Sequence, residues 1–193
     1  MKKPSRALAA FALLCFLAGC ETYTLVEANA PVTMAQTYTV QPQIKWSKRV
    51  QGKFESWTVD GPLIEELSFV NGIESGDSLV EPDPYASDEV EYPEFRSGMT
   101  ALEIQDLYEA TLSKFQASQI ATEGLRPLSF GAQPGFRFDF SYVSQDGLKR
   151  SGMVVGFVRD EKLYLIAYTA AALHYYDRYK GTVERLVASI TIL

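Results

Sequence analysis

Few residues of this chain could carry out chemistry. It contains one histidine, His174, and two cysteines, Cys15 and Cys20. A serine–histidine–acid triad would have to use His174, with Asp177 or another acid beside it, and no G-x-S-x-G motif presents a serine nucleophile. A zinc site needs several His or Cys ligands, which the chain does not supply. The sequence therefore favours a protein without catalytic residues or a cofactor, and a hydrolase that uses His174 is the alternative.

The segment of residues 74–94 is strongly acidic. It contains eight acidic residues, no basic residue and three prolines, which interrupt regular structure. We therefore predict a long acidic loop, a kind of segment that is uncommon unless it is functional or disordered. Calcium takes six to eight oxygen ligands, so a calcium-dependent binding module is an alternative, although the acidic spacing does not match an EF-hand. A docking segment for a basic partner is another interpretation, with these contacts: Asp83, Asp88, Glu89 and Glu91.

Aromatic residues offer a further contact surface, because exposed Trp and Tyr side chains are favoured anchors of protein interfaces. The predicted C-terminal helix carries Tyr175, Tyr176 and Tyr179. Tyr176 and Tyr179 follow the helical spacing of an apolar stripe that also includes Leu173, which predicts that these residues are buried. Tyr175 lies off that stripe, so we predict that it is exposed and contacts a partner.

The N-terminus has the three parts of an export signal. Three basic residues lie within the first six positions, and the apolar run that follows, residues 7–18, is too short to span a bilayer, which takes about 20 residues. The signal ends in Leu17-Ala18-Gly19-Cys20. This tetrapeptide resembles the lipobox of bacterial lipoproteins, where a signal peptidase cuts before the cysteine and the cysteine carries lipid. The resemblance implies that residues 1–19 are a signal peptide and that Cys20 carries acyl chains such as palmitate.

The residue after the cysteine bears on which membrane holds the anchor. In enteric bacteria an Asp at this position resembles a signal for retention at the inner membrane, and this chain has Glu21 instead. We therefore expect an anchor in the outer membrane, with the domain facing the periplasm. The outer leaflet of the cytoplasmic membrane is the alternative.

The mature chain would comprise residues 20–193, which is enough for one domain with a sizeable core. Its net charge would be about −9, because cleavage removes three of the 18 basic residues and none of the 24 acidic ones. Such a charge argues against nucleic acid as a partner. With Cys15 removed and Cys20 lipidated, no cysteine would remain for a disulfide.

Apolar periodicity predicts a single α+β domain over residues 37–193, after a flexible tether over residues 20–36. Thr100-Ala101-Leu102-Glu103 matches a capping box and predicts a helix start. Asp146-Gly147 is typical of a hairpin turn. The predicted elements are a strand near 37–41, a strand meander over 45–71, a helix from 100 to about 117–119, antiparallel strands over 125–169 and a helix over 173–189.

The order of these elements resembles a known fold. The residues that carry the resemblance are the helix ending at Phe115, the strand of residues 135–140, the strand of residues 153–158, the run of residues 164–168 and the terminal helix. They look like the fold shared by the photosystem II extrinsic subunit PsbP, a eukaryotic Ran-GTPase-binding protein and assorted bacterial lipoproteins. The resemblance implies an antiparallel sheet sandwiched between helices (α/β/α). It also implies a binding or accessory role, with an envelope protein as partner.

Overall fold

The computed structural model describes residues 23–81 and 91–193. Within these residues the chain forms eleven strands and two helices. The strands are β1 (Thr24–Val26), β2 (Val32–Met34), β3 (Tyr38–Val40), β4 (Trp46–Gln51), β5 (Phe54–Thr58), β6 (Glu65–Ile73), β7 (Ser118–Phe130), β8 (Gln133–Val143), β9 (Lys149–Arg159), β10 (Lys162–Ala171) and β11 (Thr191–Ile192). The helices are α1 (Ala101–Lys114) and α2 (Tyr175–Ala188).

Eight strands form the main sheet, in the order β1-β4-β5-β6-β10-β9-β8-β7. All neighbouring pairs are antiparallel. A smaller antiparallel sheet has the order β11-β3-β2. Three successive hairpins build one half of the main sheet, and the predicted turn at Asp146-Gly147 connects β8 to β9.

Two cores lie on opposite faces of the main sheet. In β10, Tyr164 and Ile166 belong to one core, whereas Leu165 and Ala167 belong to the other, because side chains alternate along a strand. The first, which we call the α2-side core, also receives α2 and the small sheet; the second, the α1-side core, receives α1. The helical and small-sheet residues of the α2-side core are Met34, Tyr38, Val40, Tyr179, Val183, Leu186 and Val187, and α1 gives Ile104 and Leu107 to the other core. The predicted α+β fold with an α/β/α arrangement is therefore confirmed.

The capping box at the start of α1 is present as predicted. The Thr100 hydroxyl accepts a hydrogen bond from the Glu103 backbone N–H (3.3 Å), and the Glu103 carboxylate accepts one from the Thr100 N–H (2.7 Å). α1 ends earlier than predicted, with Phe115 as its C-cap, because Gln116 takes a left-handed conformation (φ 57°). The chain then enters β7 at Ser118.

The tether predicted over residues 20–36 is wrong from Thr24 onwards. Thr24–Val26 pairs with β4 and Val32–Met34 pairs with β3. Val26 is 4% exposed and Met34 is 1% exposed, so both belong to the core. Three-residue strands are too short to show a period, and their hydrogen bonds depend on strands that come later in the chain.

None of the helices in the described parts of the chain is long and apolar enough to cross a membrane.

Gly152 of β9 provides a test of how tightly the α1-side core is packed. A Cβ at this position would lie 2.2 Å from Phe140 Cζ and 2.5 Å from the Tyr168 carbonyl oxygen. We expect Gly152→Ala to reduce the free energy of unfolding by about 2–3 kcal/mol, because the aromatic ring has to move. Gly181→Ala is the matched control: its Cβ would meet only Arg185 Nη1, at 3.7 Å, and alanine favours a helix by up to about 1 kcal/mol over glycine. Urea denaturation measures both changes, and equal effects of the two substitutions would contradict the packing argument.

Candidate functional site

The main sheet has two ends that differ in what they present. At one end lie the turn between β4 and β5 and the end of β6, and we call this the entry end, because β1 runs away from it. Thr24, the first residue of β1, pairs with Lys48 in the middle of β4. At the opposite end, which we call the distal end, lie the loop of residues 59–64 and the connection of residues 172–174 between β10 and α2.

Two exposed leucines dominate the distal end. Leu63 is 80% exposed and Leu173 is 73% exposed. Their loops are fixed to the sheet, since the Ala171 N–H donates to the Ile64 carbonyl (2.9 Å) and the Arg150 guanidinium donates to the Leu63 carbonyl. We call Leu63, Leu173 and their charged neighbours Asp60 and Arg178 the distal surface. These hydrogen bonds hold the backbone of the loops, and the two leucine side chains lack a cover within the described residues.

Glu65 is a buried carboxylate that shapes this surface. Its side chain lies at the start of β6 and the residue is 0% exposed. Oε1 accepts hydrogen bonds from the Thr58 hydroxyl (2.7 Å), the Asp60 N–H (2.9 Å) and the Val59 N–H. Oε2 is buried without a hydrogen-bond partner among the described residues. Burial raises the pKa of Glu65, although the three donors act in the opposite direction.

Asp60 ties the same loop to α2. Its Oδ2 accepts a hydrogen bond from the Tyr179 hydroxyl (2.7 Å) and another from Arg178 Nη1 (3.2 Å). Burial and then the bond to Asp60 raise the pKa of Tyr179 to about 12. The loop that carries Leu63 is therefore anchored on one side by Glu65 and on the other by α2.

His174 lies at the distal end but without the partners of a triad. It is exposed and occupies the N-cap position of α2 with φ 72°, and its side chain makes no cap hydrogen bond. The imidazole also makes no hydrogen bond or ion pair with any residue in 23–81 or 91–193. The hydrolase alternative therefore gains no geometric support from the part of the chain that is described.

Tyr175 and Leu173 differ from their predicted burial. Tyr175 is half-buried and packs against the α2-side core, and its carbonyl accepts a hydrogen bond from the Tyr168 hydroxyl (3.2 Å). Leu173, predicted to lie on the buried stripe, is the exposed residue, because α2 begins only at Tyr175 and the stripe does not extend into the preceding loop. A partner contact at Tyr175 stays a prediction.

The acidic segment leaves the sheet at the entry end. Asp77 Oδ2 pairs with Lys53 Nζ (2.6 Å) and Glu74 pairs with Lys162 Nζ (2.6 Å), and these hydrogen bonds lower the pKa of both carboxylates. Glu91 is exposed. The predicted contacts Asp83, Asp88 and Glu89 lie outside the described residues. In residues 23–81 and 91–193 no group of three or more His, Cys, Asp and Glu side chains could hold a metal ion.

Comparisons with known proteins bear on the fold. The chain is similar to the solution structure of cyanobacterial PsbP (CyanoP) from Synechocystis sp. PCC 6803, with a TM-score of 0.58 and 13% identity over 93% of this chain and 97% of that chain. LpqN of Mycobacterium tuberculosis, described as involved in cell envelope biogenesis, aligns with a TM-score of 0.37 and 9% identity over 91% and 87% of the two chains. No protein-family model and no curated protein match the chain. The similarity to CyanoP shows that the domain has the PsbP-like fold, as its element order predicts.

The buried carboxyl of Glu65 gives a test by pH. The pKa of Glu65 in the folded protein is raised above the ordinary 4.5. Its contribution to the free energy of unfolding is therefore fully present below about pH 4.5, where the carboxyl is protonated, and is lost as the pH rises through the folded-state pKa. We expect the difference in unfolding free energy between the wild type and Glu65→Gln to shrink from pH 4.5 upwards. Urea denaturation at several pH values measures it.

Glu74→Gln is the matched control for this experiment. Its hydrogen bond to Lys162 lowers the pKa of Glu74, so its contribution is present above about pH 4.5 and is lost as the pH falls. The two variants should therefore show opposite trends with pH. A Glu65→Gln difference that is constant or grows with pH would contradict the raised pKa.

Proposed function

We propose that the protein is a lipid-anchored bacterial envelope lipoprotein and a non-enzymatic binding or accessory protein. In this proposal the distal surface docks a protein partner in the envelope. The single observation that carries the docking proposal is the pair of leucines, 80% and 73% exposed, on loops that hydrogen bonds fix to the sheet. The proposed anchor lies in the outer membrane, facing the periplasm, or alternatively in the outer leaflet of the cytoplasmic membrane.

The physical basis of the docking proposal is the cost of leaving these leucines in water. Burying one leucine side chain contributes about 1.5–3 kcal/mol, so the pair could supply a large part of the affinity of a partner. Binding also requires little ordering at this surface, because the loops are already anchored by Glu65 and by the Asp60–Tyr179 hydrogen bond. The charged rim of Asp60 and Arg178 would then help to select the partner.

The direction of β1 indicates how the distal surface would be oriented relative to the membrane that holds the proposed anchor. Three residues lie between Cys20 and Thr24, and the four steps along the chain span at most about 14 Å. β1 runs towards the distal end, so in this proposal the lipid on Cys20 lies on the entry side of the sheet. The distal surface lies at the other end and would point towards the periplasm, where a protein partner can reach it.

The acidic contacts Asp83, Asp88, Glu89 and Glu91, together with Tyr175, are a second part of this proposal. The described residues 74–81 of the acidic segment follow β6 at the entry end, so the segment is tested separately from the distal surface. Leu79 within this segment is 5% exposed and belongs to the α1-side core. Charge-neutralising substitutions of the four acids therefore test the segment better than its deletion would.

The lipid anchor can be tested with the two cysteines. Metabolic labelling with a palmitate analogue should mark the wild type and Cys15→Ser, because Cys15 lies in the part that cleavage removes. Cys20→Ser should lose the label and remain in the uncleaved form. A Cys20→Ser variant that keeps the label would contradict the assignment.

Docking at the distal surface can be tested by crosslinking in the native envelope, followed by affinity capture and mass spectrometry. We expect Leu63→Asp combined with Leu173→Asp to reduce recovery of a specific partner by at least about tenfold, because the apolar contact is lost. Both side chains are exposed, so folding should change little. Leu102→Asp on α1, which is 57% exposed, is the matched control and should retain the partner.

Equal recovery with all variants would contradict the distal surface as the contact. Loss only in the variant with the four acids neutralised would assign the contact to the acidic segment instead.

A further inference from the structure

One face of the main sheet is covered by a helix over only part of its width. α1 packs against β7 and β8, and the same sheet face over β4, β5 and β6 lies to the side of the helix. Here the sheet forms the floor of a trough with a volume of about 660 Å³, within the range of pockets for small molecules. We call it the α1-side trough. Its apolar walls are formed by Phe54, Leu79, Val80 and Phe115.

The floor of the trough is a regular array of hydrogen-bonding side chains. Arg49, Ser56 and Ser68 lie opposite one another on β4, β5 and β6. Gln51 lies one row further along β4, and Glu66 lies two residues before Ser68 on β6. Neighbouring strands are about 4.8 Å apart, so the hydroxyl and amide groups form a grid with that spacing. The Ser56 and Ser68 hydroxyls donate hydrogen bonds to the Glu66 carboxylate and can accept hydrogen bonds from a ligand. The Gln51 amide can both donate and accept.

Both charge signs are present in the floor, which disfavours a charged ligand. Burial raises the pKa of Glu66, while hydrogen bonds from Ser56 and Ser68 and the charges of Arg49 and Arg150 lower it. An anion would meet the carboxylates of Glu66 and Glu81 in an acidic protein, whereas a cation would meet Arg49. A neutral ligand with many hydroxyl groups avoids both costs.

The strand pairing argues against a peptide as the ligand. Extended peptides gain most of their main-chain hydrogen bonds from an exposed strand edge. β5 is paired with β4 and β6, and β6 is paired with β5 and β10. The centre of the floor therefore presents side chains, not backbone groups.

The aromatic walls suit the apolar faces of sugar rings. Phe115 is 49% exposed at the C-terminal end of α1, and its ring lies 5.7 Å from that of Tyr92. Phe54 lies opposite Gln51, at the end of the floor nearest the turn between β4 and β5. Phe54, Phe115, Ser56 and Ser68 line the same trough, so a sugar that packs against the aromatic rings can also form hydrogen bonds with the serine hydroxyls. We propose that the α1-side trough binds a short neutral oligosaccharide through the hydroxyl grid of Ser56 and Ser68 and the ring of Phe115.

Isothermal titration calorimetry on the full chain tests this proposal, with chitotetraose and maltotetraose as neutral sugar probes and tetraglycine as a neutral peptide probe. We expect saturable binding of at least one sugar with a Kd below about 1 mM. Ser56→Ala combined with Ser68→Ala should weaken it by about tenfold or more, because two hydrogen bonds are lost. Phe115→Ser should also weaken it.

Ser113→Ala is the matched control, since the Ser113 hydroxyl bonds to the Ala110 carbonyl on the exposed part of α1. It should bind sugar as the wild type does. Thermal melting confirms that each variant is folded, and Phe115→Ser gives a second reading if the double serine variant is not. Absence of saturable sugar binding, equal affinity of the trough variants and the wild type, or tighter binding of tetraglycine would each overturn the proposal. None of these results depends on the distal surface.

Discussion

The constraint on which the structure depends is that β9 and β10 are covered on both faces. Their side chains alternate between the α2-side core and the α1-side core, so β9 is apolar from Gly152 to Val158 and β10 is apolar from Leu163 to Tyr168. A shift of one residue in their pairing would exchange the two cores. The close approach of Phe140 to Gly152 shows how little freedom remains, because a single methyl group at Gly152 would overlap the ring.

The β9–β10 hairpin positions the distal surface. β6 pairs with β10 from Glu65 to Ile73, and Ala170 lies opposite Glu65. The loop before β6 and the connection after β10 therefore meet at the distal end, although about 110 residues separate Leu63 from Leu173. The buried carboxylate of Glu65 then satisfies the backbone of its loop, which leaves Leu63 exposed on a fixed support. A surface of this kind is suited to recognition, because its geometry exists before a partner arrives.

The two faces of the main sheet are covered by different elements. α2 and the small sheet together cover the α2 side, where Trp46 and Trp57 are at most 1% exposed. On the other side α1 covers the phenylalanines of β8, with the Tyr108 ring 5.6 Å from that of Phe138. The polar residues of β4 to β6 lie beyond the helix, and their serines and glutamate do not need an apolar cover. One sheet face thus contains both a packed core and a polar trough.

The fold class, most element positions and the alternation of Phe136, Phe138 and Phe140 along β8 could be predicted from the sequence, because they depend on local periods of two or about 3.6 residues. The α1 capping box could be predicted because it depends on two residues three positions apart. The similarity to CyanoP confirms the PsbP-like order. The pairing of β1 and β2, the exposure of Leu173 and the burial of Glu65 became evident only in the folded structure. Each of these depends on contacts between residues far apart in the chain: a three-residue strand has no visible period, a helix start moves with its neighbours, and a glutamate is buried only where a folded loop supplies its donors.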